Sequence, residues 1–199
     1  MILCLRFYKN QKAIFMKRAA ISLIGLCMIA MFVFSACNKD DNTPAAMLTL
    51  YDSLGGTTMV QDPTNSSMMI EKGRLGIRSV VDSTIFVIAA DTAINGYFTV
   101  LLSEVGAGNL TGFQELSKNL TDFFCVATGA KSFSYTGLSM TAAHDPATNT
   151  RITDKVANDD FDAFILDLVK GAQKNGLPDY LITRVGEVTE TTRTTIVQR

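Results

Sequence analysis

The sequence predicts an all-α domain of about 150 residues, and three observations predict it. Two segments, 110–128 and 159–174, carry apolar residues at the helical period. The stretches that connect the periodic segments are short, and no internal repeat is visible. The chain has 199 residues, 47% of them hydrophobic. That length permits one domain, or one domain and a targeting segment. The composition is not that of a disordered, collagen-like or disulfide-stapled protein.

Taken in order, Ala45–Leu54 is expected to be a short helix stopped by Gly55-Gly56. Thr57–Ser67 holds Asp62-Pro63, Asn65, Ser66 and Ser67 and is expected to be a loop. Ile70–Ala90 carries Leu75, Val80, Val81, Ile85, Phe86 and Ile88. Its β-branched content suits a strand, but its unbroken length favours helix. Asp91 and Asn95-Gly96 end it, and Tyr97-Phe98 follow. Leu110–Thr128 is the clearest helix. Phe113, Leu116, Leu120, Phe123 and Phe124 fall at i, i+3, i+7, i+10 and i+11, and Glu115, Lys118 and Asp122 lie outside that stripe. Gly129 closes it. A Gly/Ser/Tyr-rich stretch, Gly129–Gly137, leads to a short segment, Ser139–His144, and a polar loop, Asp145–Arg151. Asp159–Lys174 is a second amphipathic helix, with Phe161, Phe164, Ile165, Leu168 and Val169 on one face. Asn175-Gly176 terminates it. Pro178 suits the first turn of a last helix, which runs through Leu181, Ile182, Val185 and Val188 to about Val197. Threonines 189, 191, 192, 194 and 195 weaken its tail.

Charge divides the chain. Residues 1–36 carry five basic side chains (Arg6, Lys9, Lys12, Lys17, Arg18) and no acidic one, and the rest has a formal charge of −6. An acidic domain argues against nucleic-acid binding, which needs a basic surface. Met16-Lys17-Arg18, the apolar run Ala19–Phe34 and then Ser35-Ala36-Cys37 have the layout of a secretory signal. Cys37 after Ser-Ala resembles the lipobox of bacterial lipoproteins, with Phe34 in place of the usual Leu. Translation is expected to begin at Met16. An uncleaved membrane anchor is the alternative, since Ala19–Ala36 is nearly long enough to span a bilayer. Both readings place the domain outside the cytoplasm, on the membrane of a bacterial envelope. The lipoprotein reading leaves it lipid-anchored, periplasmic or surface-facing. The expected organisation is a signal segment 1–36, a linker 37–45 and a domain 46–199. Lys39-Asp40-Asp41 resembles the surface-export signal of Bacteroidetes lipoproteins and equally suits a plain solvated linker. Cys4 and Cys27 leave with the leader and Cys37 is consumed by lipid. Cys125 is then left alone among apolar neighbours, as an inert buried thiol.

The single histidine, His144, follows Met140-Thr141-Ala142-Ala143. Small alanines beside it let a bulky planar group approach. The apolar faces carry Phe86, Phe98, Phe113, Phe123, Phe124, Phe161 and Phe164. One imidazole and an apolar, aromatic-rich helical pocket are what haem iron needs. A lone histidine is also compatible with a surface or satisfied core position, and Phe stripes with plain core.

Leu50-Tyr51-Asp52-Ser53-Leu54-Gly55-Gly56 resembles the opening of group I truncated haemoglobins. Val80-Val81-Asp82, Ala90-Asp91 and Tyr97-Phe98 keep that family's spacing. Phe123-Phe124, Gly129, Tyr135-Thr136-Gly137, Met140 and Ala143-His144 continue it in order. Asp160-Phe161-Asp162-Ala163-Phe164, Asp167-Leu168-Val169 and Gly176-Leu177-Pro178 complete it, so that the resemblance covers about residues 47–197. It implies a globin-like, shortened two-over-two helical sandwich that holds haem b. By that resemblance His144 is the proximal iron ligand, Phe98 stacks on the macrocycle, and Leu116 and Leu120 face the bound gas. Phe113, Tyr135, Ile152 and Phe164 line the macrocycle.

Departures from the family carry information. Many members hold O2 by a Tyr on the second helix and a Gln on the distal helix. Spacing puts Ile85 at the Tyr position and Leu116 and Leu120 at the Gln positions, so the distal pocket is expected to be apolar. A hydrogen bond there is worth about 1–3 kcal/mol, so fast O2 release and poor discrimination against CO are expected. Asn119 and Lys118 are near enough to turn inward. Solvent is the alternative for both, or a haem propionate for Lys118. Two insertions, Thr57–Glu71 and Asp145–Asp159, also depart.

The function these observations imply is reversible binding of a diatomic gas (O2, NO or CO) at haem iron ligated by one histidine. An enzyme, either an NO dioxygenase or a peroxidase-like protein, is the second reading; the apolar pocket and the extracytoplasmic site disfavour it. A surface haem-carrier lipoprotein is the third, and a globin scaffold without haem the fourth. The implied partners are the gas, the membrane through the lipid anchor, and a redox or haem-donor protein.

Overall fold

The computed structural model describes residues 48–199. The expected leader 1–36, the anchor Cys37, the linker 37–45, and Cys4 and Cys27 lie outside the described residues.

Helix α1 is one turn, Leu50–Ser53; of the expected Ala45–Leu54, residues 45–47 lie outside the described residues and 48–49 are not helical. Thr49 starts it by a reciprocal cap. Its hydroxyl oxygen accepts from Asp52 N–H at 3.0 Å, and the Asp52 carboxylate accepts from Thr49 N–H at 2.8 Å. Tyr51 is buried, and its hydroxyl donates to Glu71 Oε2 at 2.7 Å.

The expected loop Thr57–Ser67 is instead part of an antiparallel hairpin, β1 (Met59–Asp62) and β2 (Asn65–Glu71). This corrects the loop expected there and leaves the helical class unchanged. Of the two strands only Ile70 is buried, so no alternating apolar signal marks them. The turn is fastened by polar groups. Asp62 accepts from Thr64 N–H at 2.8 Å and from Arg78 Nη2 and Nη1 at 2.8 and 3.1 Å. Arg78 and Thr64 hold the Asp62 carboxyl far below its ordinary range.

Helix α2, Lys72–Ala90, is the centre of the fold and packs on two other helices. Val80, Val81, Thr84, Ile85, Val87 and Ile88 are all buried in it. Each β-branched residue costs a helix about 0.5 kcal/mol, while burying an apolar side chain returns about 1.5–3 kcal/mol. Burial therefore decides for helix, as length suggested. A 3₁₀ turn, Asn95–Phe98, follows, and then α3, Thr99–Gly106. Sequence reasoning assigned no element after Phe98, since only Leu101 of α3 is buried.

Helix α4, Thr111–Ala127, matches the expected Leu110–Thr128 within its ends. It is covered on two faces. One is the apolar stripe. The other carries Ser117, Thr121, Asp122 and Cys125, all buried, and is bonded to α2. Ser117 Oγ donates to Asp82 Oδ1 at 2.5 Å, and Arg74 Nη2 reaches Asp122 Oδ1 at 2.7 Å. Burial works against ionisation of Asp122, but Lys118 and Arg74 outweigh it and hold the carboxyl below its ordinary range. Burial pushes the Cys125 thiol up to about 11, which leaves it inert at neutral pH.

Helix α5 is one turn, Met140–Ala143. Helix α6, Asn158–Lys174, is the second expected helix, with Asp160 reaching back to accept from Ala157 N–H at 2.8 Å. The single last helix expected to reach Val197 is in fact two, α7 (Asp179–Glu190) and α8 (Arg193–Ile196). Threonines at the break bond backward to carbonyls. Thr189 Oγ1 donates to Val185 O at 2.8 Å, and Thr192 Oγ1 to Thr189 O at 2.7 Å.

The core joins α2, α4, α6 and α7 through Ile77, Val81, Phe124, Leu168, Leu181 and Val185. Helices α2 and α6 cross closely at Gly171. A Cβ there would fall on Thr84 Oγ1 and lie 2.9 Å from Thr84 N. Gly171→Ala should therefore destabilise by about 1–3 kcal/mol through overpacking. Gly186, in α7, has nothing within 4 Å of such a Cβ, so Gly186→Ala should stabilise by about 0.5–1 kcal/mol. Urea midpoints of the two variants moving in the same direction would contradict this.

Phe86 is the correction among the aromatics. Expected on an apolar face, it is 65% exposed and rests on Phe113, ring centroids 5.7 Å apart.

Candidate functional site

A cavity of about 520 Å³ lies between the helices, within the size range of small-molecule and cofactor sites. One wall is Ile85 and Ile88 of α2 with Leu116, Asn119, Leu120 and Phe123 of α4. Three of the four half-buried residues of the α4 stripe face this cavity. Met140, Ala143 and His144 from α5 and its end, Phe161 and Phe164 of α6, and Ile196 of α8 also line the cavity. Phe98 and Leu101 close the corner, and Tyr135, Thr136, Gly137 and Leu138 the far end. The second insertion contributes Asn149, Arg151, Ile152 and Val156.

Sequence reasoning placed His144, Phe98, Leu116, Leu120, Tyr135, Phe164, Ile85 and Ile152 around one pocket, and each lines this cavity. Phe113 does not. It lies outside the lining, at the start of α4, packed on the core and on Phe86. Asn119 lines the cavity, whereas Lys118 Nζ is bonded to Asp122 Oδ2 at 2.7 Å. Ile88, Ile196 and Arg151 line the cavity without having been expected there. The spacing of Ile88 from Ile85 was a usable signal. Nothing local marks Ile196, which reaches the cavity only because the last helix breaks.

His144 sits at the C-terminal end of α5. Its Nδ1 lies 2.8 Å from Met140 O. A carbonyl oxygen only accepts, so Nδ1 carries the proton and Nε2 keeps its lone pair. Burial lowers the imidazole pKa, against a smaller opposing pull from Met140 O. The ring is thus neutral at pH 7 and fixed in one tautomer, the state of a metal-ligating histidine.

The polar groups in the lining are mostly satisfied. Tyr135 OH donates to Leu138 O at 2.6 Å. Tyr97 OH donates to Asp160 Oδ2 at 2.5 Å, and burial together with Asp160 pushes that phenol up to about 12. Arg151 spans two helices, with Nε 3.3 Å from both Glu104 carboxylate oxygens and Nη1 3.1 Å from Glu115. Among the described residues no cluster of three or more His, Cys, Asp or Glu could hold a bare metal ion. A single nitrogen donor in an apolar cavity is a different arrangement, one that suits iron already held by a macrocycle.

No protein-family model and no curated protein matches the chain. Solved structures do. The Fe(III) form of truncated haemoglobin from Tetrahymena pyriformis is similar at 22% identity and a TM-score of 0.54, over 76% of this chain and all of that one. The chain has the fold of a truncated haemoglobin. The 2/2 haemoglobin of Synechococcus, in the cyanomet state with covalently attached haem, is similar at 23% identity and a TM-score of 0.53, again over 76% of this chain and all of that one. Within the truncated-haemoglobin fold, α2 and α4 form one helix pair and α6 and α7 the other, with the cavity reached by both pairs. The hairpin β1–β2 and the loop before α6 occupy the two segments where insertions are expected.

Proposed function

We propose that this chain is a haem-binding globin that takes haem b through His144 and reversibly binds a diatomic gas. One observation carries the reading: a neutral imidazole, its Nδ1 tied to Met140 O at 2.8 Å, in the wall of an apolar cavity of about 520 Å³. The residues fit the group. Nε2 is the one nitrogen donor, Phe98, Leu116, Leu120, Tyr135 and Phe164 supply apolar contact, and Arg151 is the cation in the lining. Haem bound there supplies iron with a position open to O2, NO or CO. The protein's part would be to present Nε2 of His144 to the iron, to exclude water with the leucine and phenylalanine walls, and to keep Nε2 unprotonated. The truncated-haemoglobin likeness supports this reading. Haem titration of the full chain in detergent tests it: a Soret band should grow to one equivalent, and a colourless chain would overturn it.

We also propose that Cys37 carries lipid and tethers the domain outside the cytoplasm. The basic n-region, apolar run and Ser35-Ala36-Cys37 support it. Wild-type protein expressed in bacteria should enter the detergent phase on Triton partitioning with a mature start at Cys37. Cys37→Ala should abolish that processing. An unchanged mass for Cys37→Ala would favour an uncleaved anchor.

A further inference from the structure

Helix α5 carries His144 but is a single turn. One turn does not hold itself in water, because nucleation costs more than its first hydrogen bond returns. Its local bonds are few. Ala142 N–H donates to Ser139 Oγ at 3.2 Å, Ala143 N–H to Ser139 O at 2.8 Å, and His144 N–H to Thr141 O at 3.3 Å. The helix that positions the one imidazole therefore needs support from elsewhere.

The C-terminal segment provides it. Thr141 Oγ1 donates to Thr195 O at 3.0 Å, and Gln198 Nε2 donates to Thr141 O at 2.9 Å. The hydroxyl and the carbonyl of Thr141 are thus both bonded to residues 195–198. The Thr141 carbonyl accepts from Gln198 and from the backbone amide of His144 at once. That carbonyl links the tail directly to the histidine.

The tail is itself anchored. Val197 forms a parallel bridge with Val156, and Gln198 N–H donates to Val156 O at 2.9 Å. Arg199 Nη1 donates to Asp154 Oδ2 at 2.8 Å, and its Nη2 to Tyr97 OH at 2.8 Å. The segment runs across the fold from the 3₁₀ corner and the second insertion to α5.

We propose that residues 193–199 form a strap that positions His144 through Thr141, with Gln198 and Thr195 as its contact points. The proposal rests on His144 being the haem ligand. It assigns a purpose to the break between α7 and α8, since α8 is the element that meets α5. It also assigns one to the second insertion, whose Val156 holds the strap.

The test compares Thr141→Val, Gln198→Ala and Thr141→Ser in the full chain. Valine keeps the shape of threonine and removes the hydroxyl, while serine keeps it. Three readouts apply: amide exchange of residues 142–144 in haem-free protein, haem transfer to apomyoglobin, and the iron–histidine stretching band of the ferrous protein. One lost hydrogen bond corresponds to about 2–10-fold. Thr141→Val and Gln198→Ala should accelerate exchange at 142–144 by about that factor and leave α6 amides unchanged. They should hasten haem transfer by a similar factor and shift or broaden the stretching band. Thr141→Ser should match wild type in all three. Unchanged exchange and an unchanged band would overturn the strap, as would equal acceleration in α6. If wild type takes no haem, the haem reading fails, while exchange in the haem-free chain still decides whether the tail holds α5.

Discussion

Replacing His144 with alanine should abolish haem binding while leaving the apoprotein folded. His144 is the single histidine of the chain, so no other imidazole replaces it. Changes to the groups that merely orient a metal-ligating histidine cost about 10–100-fold in affinity, and loss of the ligand itself should exceed about 100-fold by the same scale. The ring makes one hydrogen bond, within its own turn to Met140 O, so its removal should cost the apoprotein no more than about 1 kcal/mol. Two melting curves separate the effects. Haem should raise the wild-type transition, because a ligand that binds only the folded state stabilises it by mass action. It should not raise that of His144→Ala. Free imidazole added to the variant should restore part of the Soret band. A variant with wild-type haem affinity would show that the iron ligand lies elsewhere. Haem that leaves the wild type within seconds would instead favour a carrier.

Wild-type protein should release O2 quickly, and Leu116→Gln or Ile85→Tyr should slow release by about 10–100-fold. Ile85, Ile88, Leu116 and Leu120 line the same cavity as His144, and none has a donor. A hydrogen bond to partly charged O2 in that wall is worth about 1–3 kcal/mol, while CO carries less charge and gains less. The ratio of CO to O2 affinity should therefore fall in both variants. Asn119 is the amide in that wall and supplies the control. Asn119→Leu should leave O2 release unchanged. A tenfold acceleration in that variant would identify Asn119 as a concealed donor, and slow O2 release by the wild type would sink the apolar reading altogether.

Much of the site was legible because it is carried by spacing. The stripe Leu116, Leu120 and Phe123 lies on one face of α4 by helical period alone, and that face meets the cavity. Phe113 obeys the same period and misses the cavity, because a stripe wider than the pocket also has to serve the core. Phe86 satisfied the composition of an apolar face and is exposed, since α2 spends its buried surface on α4 and α6. The hairpin left no pattern, because it is held by Asp62, Thr64 and Arg78 rather than by an apolar face.

The sequence by itself determined the helical class, the two strongest helices, the single imidazole and the apolar identity of Ile85, Leu116 and Leu120. Each follows from residue identity and local period, which tertiary packing does not alter. Only the tertiary structure decided which tautomer His144 adopts, that Phe113 stays out of the pocket, and that the last helix breaks. The bonds at the tautomer and at the break are short-range, His144 Nδ1 to Met140 O and Thr189 Oγ1 to Val185 O, but they stand among long-range contacts such as that of Gln198 with Thr141. Their partners are chosen by how the helices pack, and no local pattern in the sequence records that choice.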